Sequence, residues 1–456
     1  MVYQLKNKRN ASVKSTRKSL LFARTRTTKD FLEERKSASY KVGVINLGCA
    51  RNLVDSQMIL GRLKKNGHRI VEVEQADIAI VNTCSFIEDA RKESVDVILE
   101  LLELKKQGKL KKVIVAGCLA QRYSSELIKE LPEVDAFIGT PTLPKDSMPS
   151  QYSLTPAHFA YVKICESCFN QCSFCAIPRI KGKFSSRTIE SILSEIKQLD
   201  RRGVKEINII GQDITAYGMD LYRTKSLARL LKEIVQATRN IQWIRLLYAF
   251  PAHVTDELIE VIANEKKICN YIDMPMQHIS DHLLTSMHRS ITTQQTKNLI
   301  TKIRQNIPSA SLRTTFIVGF PGETDADFRE LLGFIEQSRF ERAGVFVYSR
   351  EEGTPAYDLS HQVPAKIKKQ RLDALMSKQQ EISLETQKQF LGRRLTVMID
   401  EKPNNEPDLY LARSEYDAPE VDGLVYVHSR KALYPGDFVQ VEITDTYEYD
   451  LAGELL

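Results

Sequence analysis

The stretch Cys168-Phe-Asn-Gln-Cys172-Ser-Phe-Cys175 decides how this chain is read. Its spacing is C-x3-C-x2-C, and it follows directly on an apolar run at 159–164 that reads as a buried strand. Three thiolates on one tight loop can hold three irons of a [4Fe–4S] cube, leaving the fourth iron without a protein ligand. Cys165 adds a fourth thiol just upstream. A zinc ribbon wants its two C-x2-C pairs some 15–20 residues apart, and here only three residues separate them. A ferredoxin-type carrier uses four cysteines at similar spacing but needs no chain of 456 residues. Cys165 is therefore taken as an accessory or bystander thiol.

Outward from the loop, strand-like runs recur at 206–210, 243–248, 271–274, 313–318 and 344–348. Helical periods lie between them at 189–202, 226–237, 256–264, 281–287, 293–306 and 325–338. Thr324, followed by Asp325 and Asp327, has the chemistry of a helix start. Six β-α repeats predict an open or partial (β/α) barrel, since a closed one needs eight. Upstream, buried parallel strands are expected at 42–47, 77–81 and 112–116, with helices at 55–66 and 88–106. Downstream, residues 366–390 read as one long polar helix. Three alternating runs at 395–399, 423–427 and 438–443, punctuated by Gly, Pro, Asn and Asp, predict a small antiparallel β-barrel. The expected fold class is thus α/β. It has an N-terminal open parallel-sheet domain (40–150), a central partial barrel (151–388) and a C-terminal β-barrel (389–456), preceded by a basic extension (1–39).

Three more cysteines share a setting. Cys49 ends Val-Ile-Asn-Leu-Gly-Cys, Cys84 ends Ile-Val-Asn-Thr-Cys, and Cys118 ends Val-Ile-Val-Ala-Gly-Cys. Each follows an expected strand. In an open parallel sheet the carboxyl ends of the strands share one edge, where ligands bind. Three strand-end cysteines predict a second metal site, against the alternative of three buried, inert thiols. Cys269 has no such setting and is assigned to the core before the strand at 271–274.

Apolar residues make up 42% and charged residues 27% of the chain, which excludes a disordered or collagen-like protein. No run reaches the ~18 apolar residues of a membrane span, so no membrane partner and a cytoplasmic location are expected. The net charge of +7 is unevenly spread. Residues 1–39 hold eleven Lys/Arg against three Asp/Glu, and 389–456 hold six against fourteen. The head reads as a disordered basic arm or a transit peptide, and RNA contact is open through this segment only. An acidic C-terminal domain repels a phosphate backbone and attracts a basic protein.

With both cysteine triplets placed, residues 40–456 resemble the methylthiotransferases, a radical SAM family. The resemblance is carried by Asn46-Leu-Gly-Cys49-Ala-Arg-Asn52-Leu-Val-Asp55-Ser56, the cysteine loop through Pro178 and Gly211-Gln-Asp213-Ile-Thr-Ala-Tyr217-Gly218. It continues through Trp243–Tyr248 in sequence, Tyr271–Ser280 in sequence and Arg313–Thr324 in sequence. His278-Ile279-Ser280 matches the branch that acts on an aspartate of ribosomal protein S12, where tRNA-modifying relatives typically carry a Gln-Ser-Gly-like run. The C-terminal segment resembles a TRAM domain. A cysteine at position 165 departs from the family pattern.

The resemblance implies two [4Fe–4S] clusters and S-adenosyl-L-methionine. Cys168, Cys172 and Cys175 would hold the cluster that cleaves S-adenosylmethionine, and Cys49, Cys84 and Cys118 an auxiliary cluster concerned with sulfur. Ribosomal protein S12 would be the substrate, methylthiolated at an aspartate β-carbon, with an electron donor and sulfur source unnamed. Gln212, Asp213 and Gln277 fall at strand ends, and Gly319-Phe-Pro-Gly322 at another. For these, contact with S-adenosylmethionine stands beside a capping, supporting or plain-turn role. Ser186-Arg187 is set either to bind a carboxylate or to solvate a helix start. Two further readings remain: a tRNA adenosine methylthiotransferase, and an iron–sulfur redox carrier that is not an enzyme.

Overall fold

A computed structural model describes residues 39–146, 152–404 and 406–456. The basic extension, Ser39 apart, lies outside the described residues. The chain forms two compact units. The first is the described part of 1–142, with 152–154 and 179–181; the second holds the described remainder to Leu456.

In the first unit, five strands run β1 (Lys41–Asn46), β2 (Arg69–Ile70), β3 (Ile78–Thr83), β4 (Lys112–Gly117) and β5 (Ala136–Ile138). Their order is β2-β1-β3-β4-β5, all neighbours parallel. Every residue of β3 is buried, as a Val/Ile run covered on both faces should be. The first helix spans Ala50–Lys65, five residues earlier at its start than expected. Its N-cap is Cys49, which makes no side-chain cap, so the usual Ser/Thr/Asp signal for a helix start is missing there. The helix Cys118–Glu130 and the short strands β2 and β5 had no counterpart in the expected elements.

In the second unit, β6 (Phe159–Lys163) precedes a small hairpin of β7 (Cys165–Glu166) and β8 (Ser185–Ser186). The large sheet continues with β9 (Glu206–Ile210), β10 (Trp243–Leu246), β11 (Ile268–Asp273), β12 (Ser311–Val318) and β13 (Arg342–Val347). Its order, β13-β12-β11-β10-β9-β6, follows the chain and is parallel throughout, the expected open six-repeat (β/α) architecture. Thr324 caps the helix Asp325–Ser338 and forms a capping box with Asp327. Cys269 lies within β11, not before a strand, and is buried as expected.

One face of this sheet is apolar. Val162, Ile207, Ile209, Ile244, Ile272 and Phe316 belong to the main core. The alternate positions are polar yet buried: Tyr161, Glu206, Asn208, Arg245, Tyr271 and Asp273. A parallel strand normally buries apolar residues on both faces, so the second face needs polar partners. The C-terminal barrel supplies several. It consists of β14 (Arg394–Glu401), β15 (Leu409–Ser414), β16 (Val425–His428), β17 (Phe438–Thr446) and β18 (Leu451–Leu455), closed in the order β14-β15-β16-β18-β17. Of these, β15 and β18 were not expected, and β16–β18 is a parallel pair in an otherwise antiparallel barrel.

The 414–422 segment carries acids onto the polar sheet face. Asp417 pairs with Arg342 at 2.7 Å. Asp422 accepts from Tyr271 at 2.6 Å and lies 3.5 Å from Arg313. Glu420 accepts from Tyr161, and Glu415 from the Asn270 backbone. Asp400, on β14, meets His158 at 2.7 Å. Of the fourteen acids in 389–456, Asp417 and Asp422 thus face arginines of the sheet. The steering of a basic partner inferred from the whole domain's charge is correspondingly weaker.

Candidate active site

The auxiliary triplet lies at the carboxyl edge of the first sheet. Asn46, Asn82 and Ala116 are register partners across β1, β3 and β4. Cys49, Cys84 and Cys118 thus follow three adjacent strand ends. Asn52 ties those ends together. Its Nδ2 donates to the carbonyls of Leu47 (2.9 Å) and Thr83 (3.1 Å), and the Cys118 thiol lies 3.6 Å from its Oδ1. Ser94 Oγ bonds both the N–H and the carbonyl of Cys84. Two glycines permit the close approach. Gly48 has φ +91° and Gly117 φ +92°; a Cβ on Gly48 would sit 2.9 Å from Cys84 Cβ, and one on Gly117 2.2 Å from Asn82 Oδ1.

The three thiols differ electrostatically. Burial raises Cys49, but the charge and Nε–H bond of Arg51, 3.4 Å from its sulfur, outweigh it and hold the thiol below its usual range. Burial pushes Cys84 up, and Cys118 up to about 12. A thiol binds metal as the thiolate, so metal binding at this set is coupled to loss of thiol protons.

The second triplet sits on the loop between β7 and the helix Ile177–Lys181. Cys175 N–H donates to the Cys172 carbonyl at 3.1 Å, closing a turn. Asn170 N–H lies 3.4 Å from Cys168 Sγ. Asn170 Nδ2 donates to Asp213 Oδ2 at 2.7 Å, and His253 Nδ1 meets the same oxygen at 2.9 Å. Asp213 Oδ1 accepts from Thr215 N at 2.9 Å and Ala216 N at 3.3 Å, capping a short 3₁₀ turn. Asp213 therefore supports the cysteine loop. Burial opposes its ionisation, but His253, Thr215 and Asn170 hold its carboxyl below the usual range. Cys165 is fully buried on β7, with its thiol 3.6 Å from the Asp213 carbonyl and pushed well up by burial.

The remaining candidates are placed as follows. Gln212 donates to Glu166 at 3.3 Å and leaves its Oε1 buried without a hydrogen-bond partner. Glu166 pairs with buried Lys163 at 2.7 Å. Gln277 has φ +73° and bridges to β12 through Thr315 and Ile317. The Gly319 N–H donates to the Glu323 carboxylate, which also pairs with Arg371 at 2.9 Å, and Gly322 N–H donates to the His361 carbonyl. Arg187 binds a carboxylate inside the protein, Glu195, at 2.5 Å. Asn52, Asn170, His253, Arg51 and Arg289 were not among the expected site residues; Asn52, Arg51 and Asn170 stand inside quoted motifs, while His253 and Arg289 carry no local signal.

Among the described residues, no three His, Cys, Asp or Glu side chains meet as ligands of one metal ion. A cubane spreads its thiolates over separate irons, so each triplet needs one thiol per corner. The donor chemistry fits. Each triplet offers three thiols, and N–H groups point at Cys49, Cys168 and Cys172.

Comparison with known proteins places the chain. Residues 41–139 match the Uncharacterized protein family UPF0004, 162–335 the Radical SAM superfamily and 391–456 the TRAM domain. The fold and its cysteine loop define a radical SAM protein. The chain is similar to proteins named ribosomal protein uS12 methylthiotransferase RimO. These include the protein from Desulforamulus reducens, 46% identical, and that from Caldanaerobacter subterraneus subsp. tengcongensis, 48% identical, each match covering 91% of this chain and 99% of the relative. It belongs to the RimO family of methylthiotransferases. Among solved structures, the radical S-adenosylmethionine methyltransferase TsrM from Kitasatospora setae is similar in fold. Its TM-score is 0.51 at 14% identity, over 82% of this chain and 81% of that one.

Proposed function

We propose that this chain methylthiolates an aspartate β-carbon of ribosomal protein S12, using two [4Fe–4S] clusters and S-adenosylmethionine. Three cysteines following three adjacent parallel strand ends, in a chain that separately carries the C-x3-C-x2-C loop, are the observation that carries the chemistry. The names of relatives 44–48% identical support the substrate.

Cys168, Cys172 and Cys175 are proposed to hold the radical cluster, and Cys49, Cys84 and Cys118 the auxiliary one. Together with S-adenosylmethionine the radical cluster supplies a radical able to take hydrogen from an unactivated carbon, which no acid–base side chain can do. Gln212, with its orphan Oε1, and Gln277, Gly319 and Gly322 are proposed to receive S-adenosylmethionine. Asp213 acts from behind, through Asn170. Cys165 is a bystander, and the protein works in the cytoplasm with a separate electron donor.

Anaerobic reconstitution tests the class. The chain should bind about eight irons, four per cluster, and release 5′-deoxyadenosine from S-adenosylmethionine under reduction. A protein that cycles its iron without that release is a redox carrier instead.

A further inference from the structure

We infer that Arg289 is the fixed counter-cation of the radical cluster and sets how readily that cluster takes up an electron. The inference rests on the reading of Cys168, Cys172 and Cys175 as cluster ligands.

Arg289 is 8% exposed. Its Nη1 lies 3.6 Å from Cys172 Sγ, and its Nη2 donates to the Pro275 carbonyl at 2.6 Å. The Phe250 ring centroid is 3.9 Å from the guanidinium carbon. The Nε is buried without a hydrogen-bond partner. Among the described residues no carboxylate pairs with this guanidinium in an ion pair, whereas buried Arg187, Arg245, Arg342, Arg371 and Arg413 each have one. Burying an uncompensated cation costs several kcal/mol, so an anion is expected beside it. The sulfur of Cys172 is where that anion would form.

The placement is built into the backbone. Residues 286–289 lie along the cysteine loop. Ser173 N–H donates to the Met287 carbonyl at 3.0 Å, Ser173 Oγ to the Ser286 carbonyl at 2.7 Å, and His288 Nδ1 meets the Gln171 carbonyl at 3.2 Å. His288 adopts φ +55°, a left-handed conformation uncommon outside glycine, one residue before Arg289. The segment thus holds the guanidinium against one thiolate while the loop is held against the segment.

A cation fixed there favours the cluster form with one more electron, because reduction adds negative charge in a poorly solvated place. The test uses full-length protein in a Cys49→Ala, Cys84→Ala, Cys118→Ala background, so that only the radical cluster is present. Its midpoint potential is read by titration followed by electron paramagnetic resonance. Arg289→Gln should lower the equilibrium constant for one-electron reduction about tenfold, a midpoint ~59 mV more negative, at unchanged iron content. Arg289→Lys should recover most of the shift. An unshifted potential in a fully loaded Arg289→Gln protein would overturn the inference. Should Arg289→Gln fail to hold iron, Arg289→Lys decides. Retention of the cluster there supports the cation, and loss there makes Arg289 a structural side chain only. A background protein without the cluster signal removes the ligand assignment itself, and the inference with it.

Discussion

The residues that matter most here are those that hold cysteines rather than the cysteines alone. Asn52 touches all three strand ends of the auxiliary triplet. Asn52→Leu should therefore cost the auxiliary cluster, about four of the eight irons, while the radical cluster signal persists. Iron analysis with electron paramagnetic resonance checks this, and full iron loading in the variant would contradict it. Cys165→Ala should keep both clusters, because its thiol is buried against the Asp213 carbonyl; Cys168→Ala should lose the radical cluster and the release of 5′-deoxyadenosine. The six candidate ligands were legible in the sequence because loop spacing and strand-end position are local signals. Arg289 and His253 were not, since each reaches the cysteine loop only through the folded sheet. Arg187 shows the opposite case, an apparent anion site whose carboxylate, Glu195, is eight residues along the same chain.

At the scale of elements, strands of the central sheet were readable because one face is continuously apolar. Their polar face becomes interpretable only with β15 and the 414–422 segment in place, which supply partners to Glu206, Arg313 and Arg342. The strand β15 ends in buried Arg413 and Ser414, which breaks the alternation that marks a half-buried strand. The strand β18 contains Ala452 and Gly453 and takes its register from β16, a partner over twenty residues away. The join has energetic consequences. Removing one member of a buried ion pair typically costs about 3–5 kcal/mol, so Arg342→Met, which strands Asp417, should lower the unfolding free energy by that order in a denaturant titration. The join should also be acid-sensitive. Burial raises Glu206, but the charges of Arg413 and Arg245 outweigh it and hold it below the usual range. Burial likewise raises Asp400, but His158 and Arg413 lower it further. A carboxyl depressed in the folded state contributes stability above its unfolded value near 4, and loses it as pH falls through the folded value. Melting of the metal-free chain should therefore drop steeply below about pH 4. Arg413→Met should be less stable at pH 7, with a shallower acid limb.

For the whole molecule, the division of labour follows the cysteines. One parallel sheet gathers three strand-end thiols, and a second, larger parallel sheet carries the C-x3-C-x2-C loop at its first strand. Four acids of the 414–422 segment bond residues of that second sheet, and the choice of a protein substrate rests on the family rather than on net charge. No helix among the described residues is long and apolar enough to cross a membrane. The central claim is that the sulfur ends on S12. It is tested most directly by the intact and peptide masses of ribosomal protein S12 from cells with and without this gene. The account predicts a gain of one methylthio group in place of hydrogen, mapped to a single aspartate and present only with the gene. An unchanged S12, together with a gene-dependent methylthio group on tRNA adenosine, would contradict it.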